Sequence, residues 1–223
     1  EIHTILPVWA QVGNVEIMLS YLRNETTRER LLKELPRLKG SEVKIAQAIG
    51  RDYLVGKTLS EFAENHGLAS VSEALIKLML LTEMRALVIY KNINLDLIMQ
   101  NLERDQVLVA SNGASFPPTA QILKHERFYN TFPKFLEIIT QRKTLSLAQA
   151  IQKITSTPAQ KFGLKNRGLI AENYIADLNL ISIKSGKVGI ENVLVSGRLA
   201  VKDGKLTGDR SGRTFGLSLS RNP

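Results

Sequence analysis

The segment from Gln106 to Leu136, QVLVASNGASFPPTAQILKHERFYNTFPKFL, leaves few folds open to this chain. It begins with the apolar run Val107-Leu108-Val109-Ala110, which reads as a short buried strand. Small and turn-forming residues follow at once, Ser111-Asn112-Gly113-Ala114, so the strand ends where polar side chains can face a cavity. A long loop with Pro117 and Pro118 then carries His125, Glu126 and Arg127, and a helical pattern starts near Phe132. A β/α barrel presents its functional side chains in this way, at the C-terminal tips of buried strands.

The flanking sequence extends that pattern. Arg85 to Tyr90 reads as another short buried strand, and Asn94 to Asn101 as a helix with Leu95, Ile98, Met99 and Leu102 inward. Two buried strands joined by one helix form a βαβ unit, which predicts parallel pairing. Upstream, a helix from Val15 should bury Ile17, Met18, Tyr21 and Leu22. A second should run from Thr26 to about Lys39 under a Thr26 or Thr27 cap, with Leu31, Leu32, Leu35 and Leu38 inward. Val43 to Ile49 alternates as a strand, Thr58 or Ser60 caps the next helix, His66-Gly67 closes it, and Ser70 caps another. Helices are expected over Phe132–Arg142 and Ser146–Thr155, with a break at Thr155 to Ala159.

After Arg167 the rhythm becomes that of strands: Leu169-Ile170, Ala176 to Ile183, Gly189 to Val195, Arg198 to Val201 and Leu206. Ser185-Gly186, Ser196-Gly197 and Asp203-Gly204 punctuate them as hairpin turns. Asp177 reads as a carboxylate that orders a turn, Trp9 and Tyr129 as packing residues, and the tail from Ser211 as loose.

Composition narrows the function classes. The 223 residues carry a net charge of +9, but the basic residues are dispersed, without one dense run or interleaved aromatics. That predicts a solvated basic surface and no nucleic-acid partner. No apolar run approaches the roughly 20 residues of a membrane span, so no membrane partner is expected. The absence of cysteine excludes thiolate metal sites and fits a cytoplasmic protein. Gly56-Lys57-Thr58 suggests a phosphate loop, but no glycine stands where that loop needs its first one, so a turn and a helix cap are expected instead.

Ser111-Asn112-Gly113, followed by His125-x-Arg127-x-Tyr129-x-Thr131-Phe132-Pro133, resembles the N-acyl-D-amino-acid deacylases (D-aminoacylases) of the amidohydrolase superfamily. Leu6-Pro7-x-Trp9 and Thr155-x-x-Pro158-Ala159-x-x-Phe162-Gly163-Leu164-x-x-Arg167-Gly168 match further phrases of that family, as do Ala176-Asp177-Leu178-Asn179-Leu180 and Val193-x-Val195-x-Gly197.

The resemblance implies an α/β fold: the C-terminal part of a β/α (TIM-type) barrel with a helical insertion, followed by strands of a small β-sandwich. The implied division is 1–84 as the insertion with a short strand, 85–165 as the last barrel βα units, and 166–223 as sandwich strands and tail. It also implies zinc-dependent hydrolysis of the amide bond of an N-acyl-D-amino acid. Metal ions in such enzymes polarise the carbonyl and acidify bound water. The family's strand-tip aspartate then moves a proton to the leaving amine.

Asn112 occupies that aspartate's position, and an amide does not titrate near neutral pH. Arg127 would grip the substrate carboxylate, with His125, Ser111 and Gly113 beside it; the competing reading of Arg127 is a surface ion pair with Glu126. The family's binuclear centre needs a His-x-His pair and further imidazoles, whereas this chain has only His3, His66 and His125, none close in sequence. These residues should therefore bind no zinc tightly on their own, and the chain by itself should be inactive. The missing N-terminal part of the barrel is then an expected partner, and the start at Glu1 fits a chain that begins inside a longer protein. The alternative is a degenerate, non-catalytic relative that binds a ligand or partner.

Overall fold

The computed structural model describes residues 1–113 and 119–214, which fall into two compact units. Glu1–Ile93 forms the first, with the described part of 114–125; Asn94–Gly113 and the described residues from Glu126 onward form the second. Pro117, Pro118 and the end of the tail lie outside the described residues.

The first unit contains helices α1 (Val15–Arg23), α2 (Glu25–Glu34), α3 (Leu59–Asn65) and α4 (Val71–Leu81), with strands β1 (Lys44–Ala48) and β2 (Ala86–Ile89). Asn24 serves two helices at once. Its backbone N–H donates to the Ser20 carbonyl at the end of α1, and its side chain accepts from the Thr27 N–H at the start of α2. The expected Thr26 or Thr27 cap is thus corrected to Asn24, and α2 stops at Glu34 rather than near Lys39. Pro36 is the reason: the residue before a proline is pushed out of the helical region, and Leu35 is extended at ψ 141°.

Other start and stop signals act as the sequence predicts. Thr58 forms a reciprocal capping box with Glu61, Ser70 accepts from the Glu73 N–H, and Gly67 takes a positive φ beyond α3. Phe62, Leu75, Leu78, Met79, Leu22 and Ile45 lie in a continuous buried core. In α1 that core takes Met18, Leu19 and Leu22, while Ile17 stays 43% exposed, so the inward face is rotated from the expected one. Trp9 is half-buried at the core's edge rather than inside it. Its ring lies 5.7 Å from Tyr21, its indole N–H donates to Glu34, and the Arg30 guanidinium sits 4.2 Å over its face.

The expected parallel βαβ unit is absent. β2 pairs antiparallel with β1, Ala86 opposite Ala48 and Ile89 opposite Lys44. Val107–Ala110 belongs to no strand, and it lies in the other unit. A strand exists only where a neighbouring strand takes its N–H and C=O groups, and no strand among the described residues pairs with this run.

The second unit contains α5 (Leu95–Leu102), α6 (Thr131–Arg142), α7 (Leu147–Ile154) and α8 (Ser156–Lys161), followed by β3 (Leu178–Lys184), β4 (Lys187–Val195), β5 (Arg198–Lys202) and β6 (Lys205–Leu206). The four strands form one antiparallel meander, so the strands expected of a sandwich make a single layer within this unit. All three X-Gly turns place both residues at positive φ, as two-residue hairpins require. Asp177 does order a turn, accepting from the Ser196 N–H at 2.8 Å and pairing with Arg167.

Three further expectations are corrected. Leu169-Ile170 is no strand, with Ile170 90% exposed; Leu95 faces solvent while Met99 is buried; and the expected break at Thr155 to Ala159 is instead the N-cap and first residues of α8. Pro158 sits in the first turn of α8, where its missing N–H has no helical partner to lose. α6 packs Phe135, Leu136 and Ile139 against Ala150 of α7 and against Ile181 and Val188 of the sheet.

Candidate functional site

The segment that carries Ser111-Asn112-Gly113 is fixed from behind. The Arg104 carbonyl, just past the end of α5, accepts the Val107 N–H at 3.1 Å and also the Lys153 ammonium from α7. Lys153 is nearly buried, on the same helix face as Ala150 and Ile154, and Val109 packs against the core beside it. A cation at a helix C-terminus also answers the unsatisfied carbonyls there.

The second motif is held in front of α6. Glu126–Phe128 form a 3-10 turn whose first carbonyl accepts the N–H groups of Tyr129 and Asn130. Here the two motifs meet. The Asn112 N–H donates to the Arg127 carbonyl at 3.2 Å, and the Thr131 hydroxyl donates to the same oxygen at 3.0 Å. Gly113 lies so close to Phe128 that a Cβ there would fall 2.8 Å from the Phe128 Cδ1. Only glycine allows that approach.

The structure therefore brings Asn112, Gly113 and Arg127 together through the backbone. Ser111, Asn112, Gly113 and Arg127 are all exposed, and Tyr129, expected to pack, is 67% exposed. Tyr129 directly follows the 3-10 turn Glu126–Phe128, which buries no residue of its own. His125 is also exposed and belongs to the first unit. Among the described residues no three His, Asp or Glu side chains gather in a way that could hold a metal ion. A cleft of about 470 Å³ lies in the second unit, lined by Ile139, Thr140, Lys143, Leu145, Leu147 and Ile183, and it includes none of the motif residues.

Two buried polar contacts escaped the sequence reading. Lys153 occupies an apolar helix face, and that mismatch is a legible signal of a buried partner. Glu137, also buried, accepts the Val188 N–H at 3.1 Å and lies 3.5 Å from the Lys187 ammonium. The Val188 N–H, more than Lys187, holds its carboxyl below the ordinary value.

Residues 105–200 match the model of the amidohydrolase family, a span that includes both the strand-tip motif and the Arg127 turn. Over that span the chain is similar to the amidohydrolases. The relatives it resembles are D-aminoacylases and N-acyl-D-amino-acid deacylases. It is 35% identical over 121 residues to the N-acyl-D-aspartate deacylase of Alcaligenes xylosoxydans xylosoxydans, covering 48% of this chain and 23% of that relative. A solved D-aminoacylase superposes with a TM-score of 0.64 at 23% identity, over 88% of this chain and 45% of its own. The N-acyl-D-glutamate deacylase of Bordetella bronchiseptica, solved with zinc and a phosphonate inhibitor, gives 0.59 at 20% identity, over 74% and 36%. The chain thus spans less than half the length of the relatives it matches.

The zinc of the Bordetella enzyme raises the question of fit. The described residues of this chain offer no cluster of ligands for such an ion, so those side chains do not fit a metal centre of that kind. Among the described residues no helix is long and apolar enough to cross a membrane.

Proposed function

We propose that this chain is the C-terminal portion of a D-aminoacylase-like, metal-dependent amidohydrolase that cleaves the amide bond of N-acyl-D-amino acids, and that it is inactive by itself. The observation that carries this reading is the junction of the two motifs, the Asn112 N–H on the Arg127 carbonyl with Gly113 against Phe128. The junction sets Arg127 beside the strand-tip position, and its guanidinium fork suits the two oxygens of a substrate α-carboxylate. Ser111 and Gly113 shape the backbone around the substrate. Asn112 stands where the resembling family has its proton-carrying aspartate. An amide can orient a substrate by donating and accepting hydrogen bonds, but it cannot carry the proton. Loss of such acid–base help costs roughly a hundred- to ten-thousand-fold in rate.

A second reading has its own support. Asn112 in place of an acid and the missing ligand cluster also suit a non-catalytic relative that keeps the pocket for binding. Asn112→Asp, made in the full-length protein and assayed against N-acyl-D-amino acids with zinc present, separates the two. Recovered turnover favours a disabled hydrolase; continued inactivity with retained ligand binding favours the binding protein.

A further inference from the structure

Asn112 and Gly113 form the only Asn-Gly dipeptide in the chain. An asparagine side chain reaches the backbone that follows it. Before glycine its amide carbon, Cγ, can meet the next main-chain nitrogen, because no Cβ obstructs the approach. Every other asparagine in the chain precedes a bulkier residue.

The structure leaves this pair able to react. Both residues are exposed, and the run from Val107 to Gly113 lies in no helix or strand that would lock its dihedrals. The Asn112 N–H donates to the Arg127 carbonyl, but that bond is on the other side of Asn112 from the Gly113 nitrogen. Among the described residues nothing accepts the Gly113 N–H, and the Asn112 side-chain amide has no hydrogen-bond partner. Asparagines elsewhere are engaged in structure. The side chains of Asn14, Asn24 and Asn94 accept helix N–H groups, and that of Asn192 accepts the Asp203 N–H. Each would have to give up its bond before its carbonyl carbon could be attacked.

We propose that Asn112–Gly113 is a self-modifying site, at which the side-chain amide of residue 112 is exchanged for the carboxylate of aspartate without the help of an enzyme. The Gly113 nitrogen gives its proton to a solvent base and bonds to the Asn112 Cγ. The Cγ–Nδ2 bond breaks, Nδ2 takes up a proton, and it leaves as ammonia. Water then adds to Cγ of the resulting cyclic imide and breaks the new bond to Gly113, whose nitrogen recovers its proton. The sum is amide plus water giving carboxylate plus ammonium, with no change of oxidation state. Opening the imide at the main-chain carbonyl instead would give isoaspartate. That product lengthens the backbone by one carbon where Gly113 already lies against Phe128, whereas aspartate keeps the junction with Arg127 in register. The role of the new carboxylate rests on the hydrolase reading: the chain is made with an amide and acquires afterwards a group that can carry a proton.

The test is peptide mapping of the purified, folded chain before and after incubation at mildly alkaline pH. Trypsin releases residues 105–124, in which Asn112 is the only asparagine. This peptide should gain the mass of an amide-to-acid exchange, assigned to position 112 by fragmentation. In heavy-oxygen water it should take up one labelled oxygen. Hydroxylamine, which attacks the imide, should cut the chain between residues 112 and 113. Asn112→Gln, whose longer side chain closes the ring poorly, should lose all these signals. An unchanged amide, other asparagines converting ahead of Asn112, or isoaspartate as the sole product would each overturn the proposal. Full-length protein, fresh and aged, assayed against N-acyl-D-amino acids with zinc present, keeps the two readings apart. Turnover should rise in step with the converted fraction. Conversion without turnover counts against the hydrolase reading and leaves the modification site standing; no conversion, with turnover in Asn112→Asp, does the reverse.

Discussion

The first unit closes its own core, and the second does not. In the first, helices α1 to α4 and both strands bury one continuous set of side chains, with Phe62, Leu59, Leu75 and Leu78 sealed from water. In the second, the buried apolar cluster is Phe135, Leu136, Ile139 and Ala150, while Leu95, Leu97, Ile170, Leu180 and Leu206 face solvent. Burial of apolar area is the main favourable term in folding, so stability should divide unequally between them. The site residues Asn112, Gly113 and Arg127 sit in the less covered half.

Truncation inside each core tests this inequality most strongly. Phe62→Ala should cost the first unit about 3–5 kcal/mol. Leu136→Ala should cost the second about 2 kcal/mol, near the lower end for such changes, because a sparse cluster has fewer neighbours to lose. Chemical denaturation should show these as shifts of two separate transitions; equal losses on a single transition would erase the distinction.

Gly113→Ala should cost about 1–3 kcal/mol, because its new Cβ would meet the Phe128 ring. Amide exchange at Asn112 should quicken in that variant as its bond to Arg127 opens, and an unchanged exchange rate would remove the junction from the account. Thr58→Ala should cost the first unit about 1 kcal/mol through the lost cap, read as a shift of the first transition alone.

The smallest expected effect is in pH. The Val188 N–H holds the Glu137 carboxyl below its ordinary 4.5. A carboxylate whose folded value is depressed stabilises the fold above its unfolded value and loses that contribution as pH falls through the folded one. The second transition should therefore weaken below pH 4.5, and Glu137→Gln should flatten that dependence. Glu34, held down by Arg30 and then by the Trp9 indole, gives the first unit a parallel acid sensitivity that Glu137→Gln leaves intact.

Local signals were legible in the sequence because their physics is local. The Ser70 cap, the X-Gly hairpins and the Asp177 turn each depend on a few neighbouring residues. Pro36 was equally local, and its effect on Leu35 could have set the end of α2. The strand assigned to Val107–Ala110 was a different matter, because pairing depends on what lies alongside, and an apolar run does not say so. The same limit hid the antiparallel β1–β2 pair, the rotated face of α1 and the outward turn of Leu95. The two motifs of the site were readable as residues. Their meeting through the Asn112 and Arg127 backbones was not, since no spacing rule encodes that bond.

The most direct test of a site left incomplete by this chain is zinc titration of the purified protein, followed by calorimetry and by release of amine from N-acyl-D-amino acids. The account predicts no stoichiometric zinc binding and no turnover above background. Two equivalents of zinc held by this polypeptide, with turnover typical of an enzyme, would contradict it.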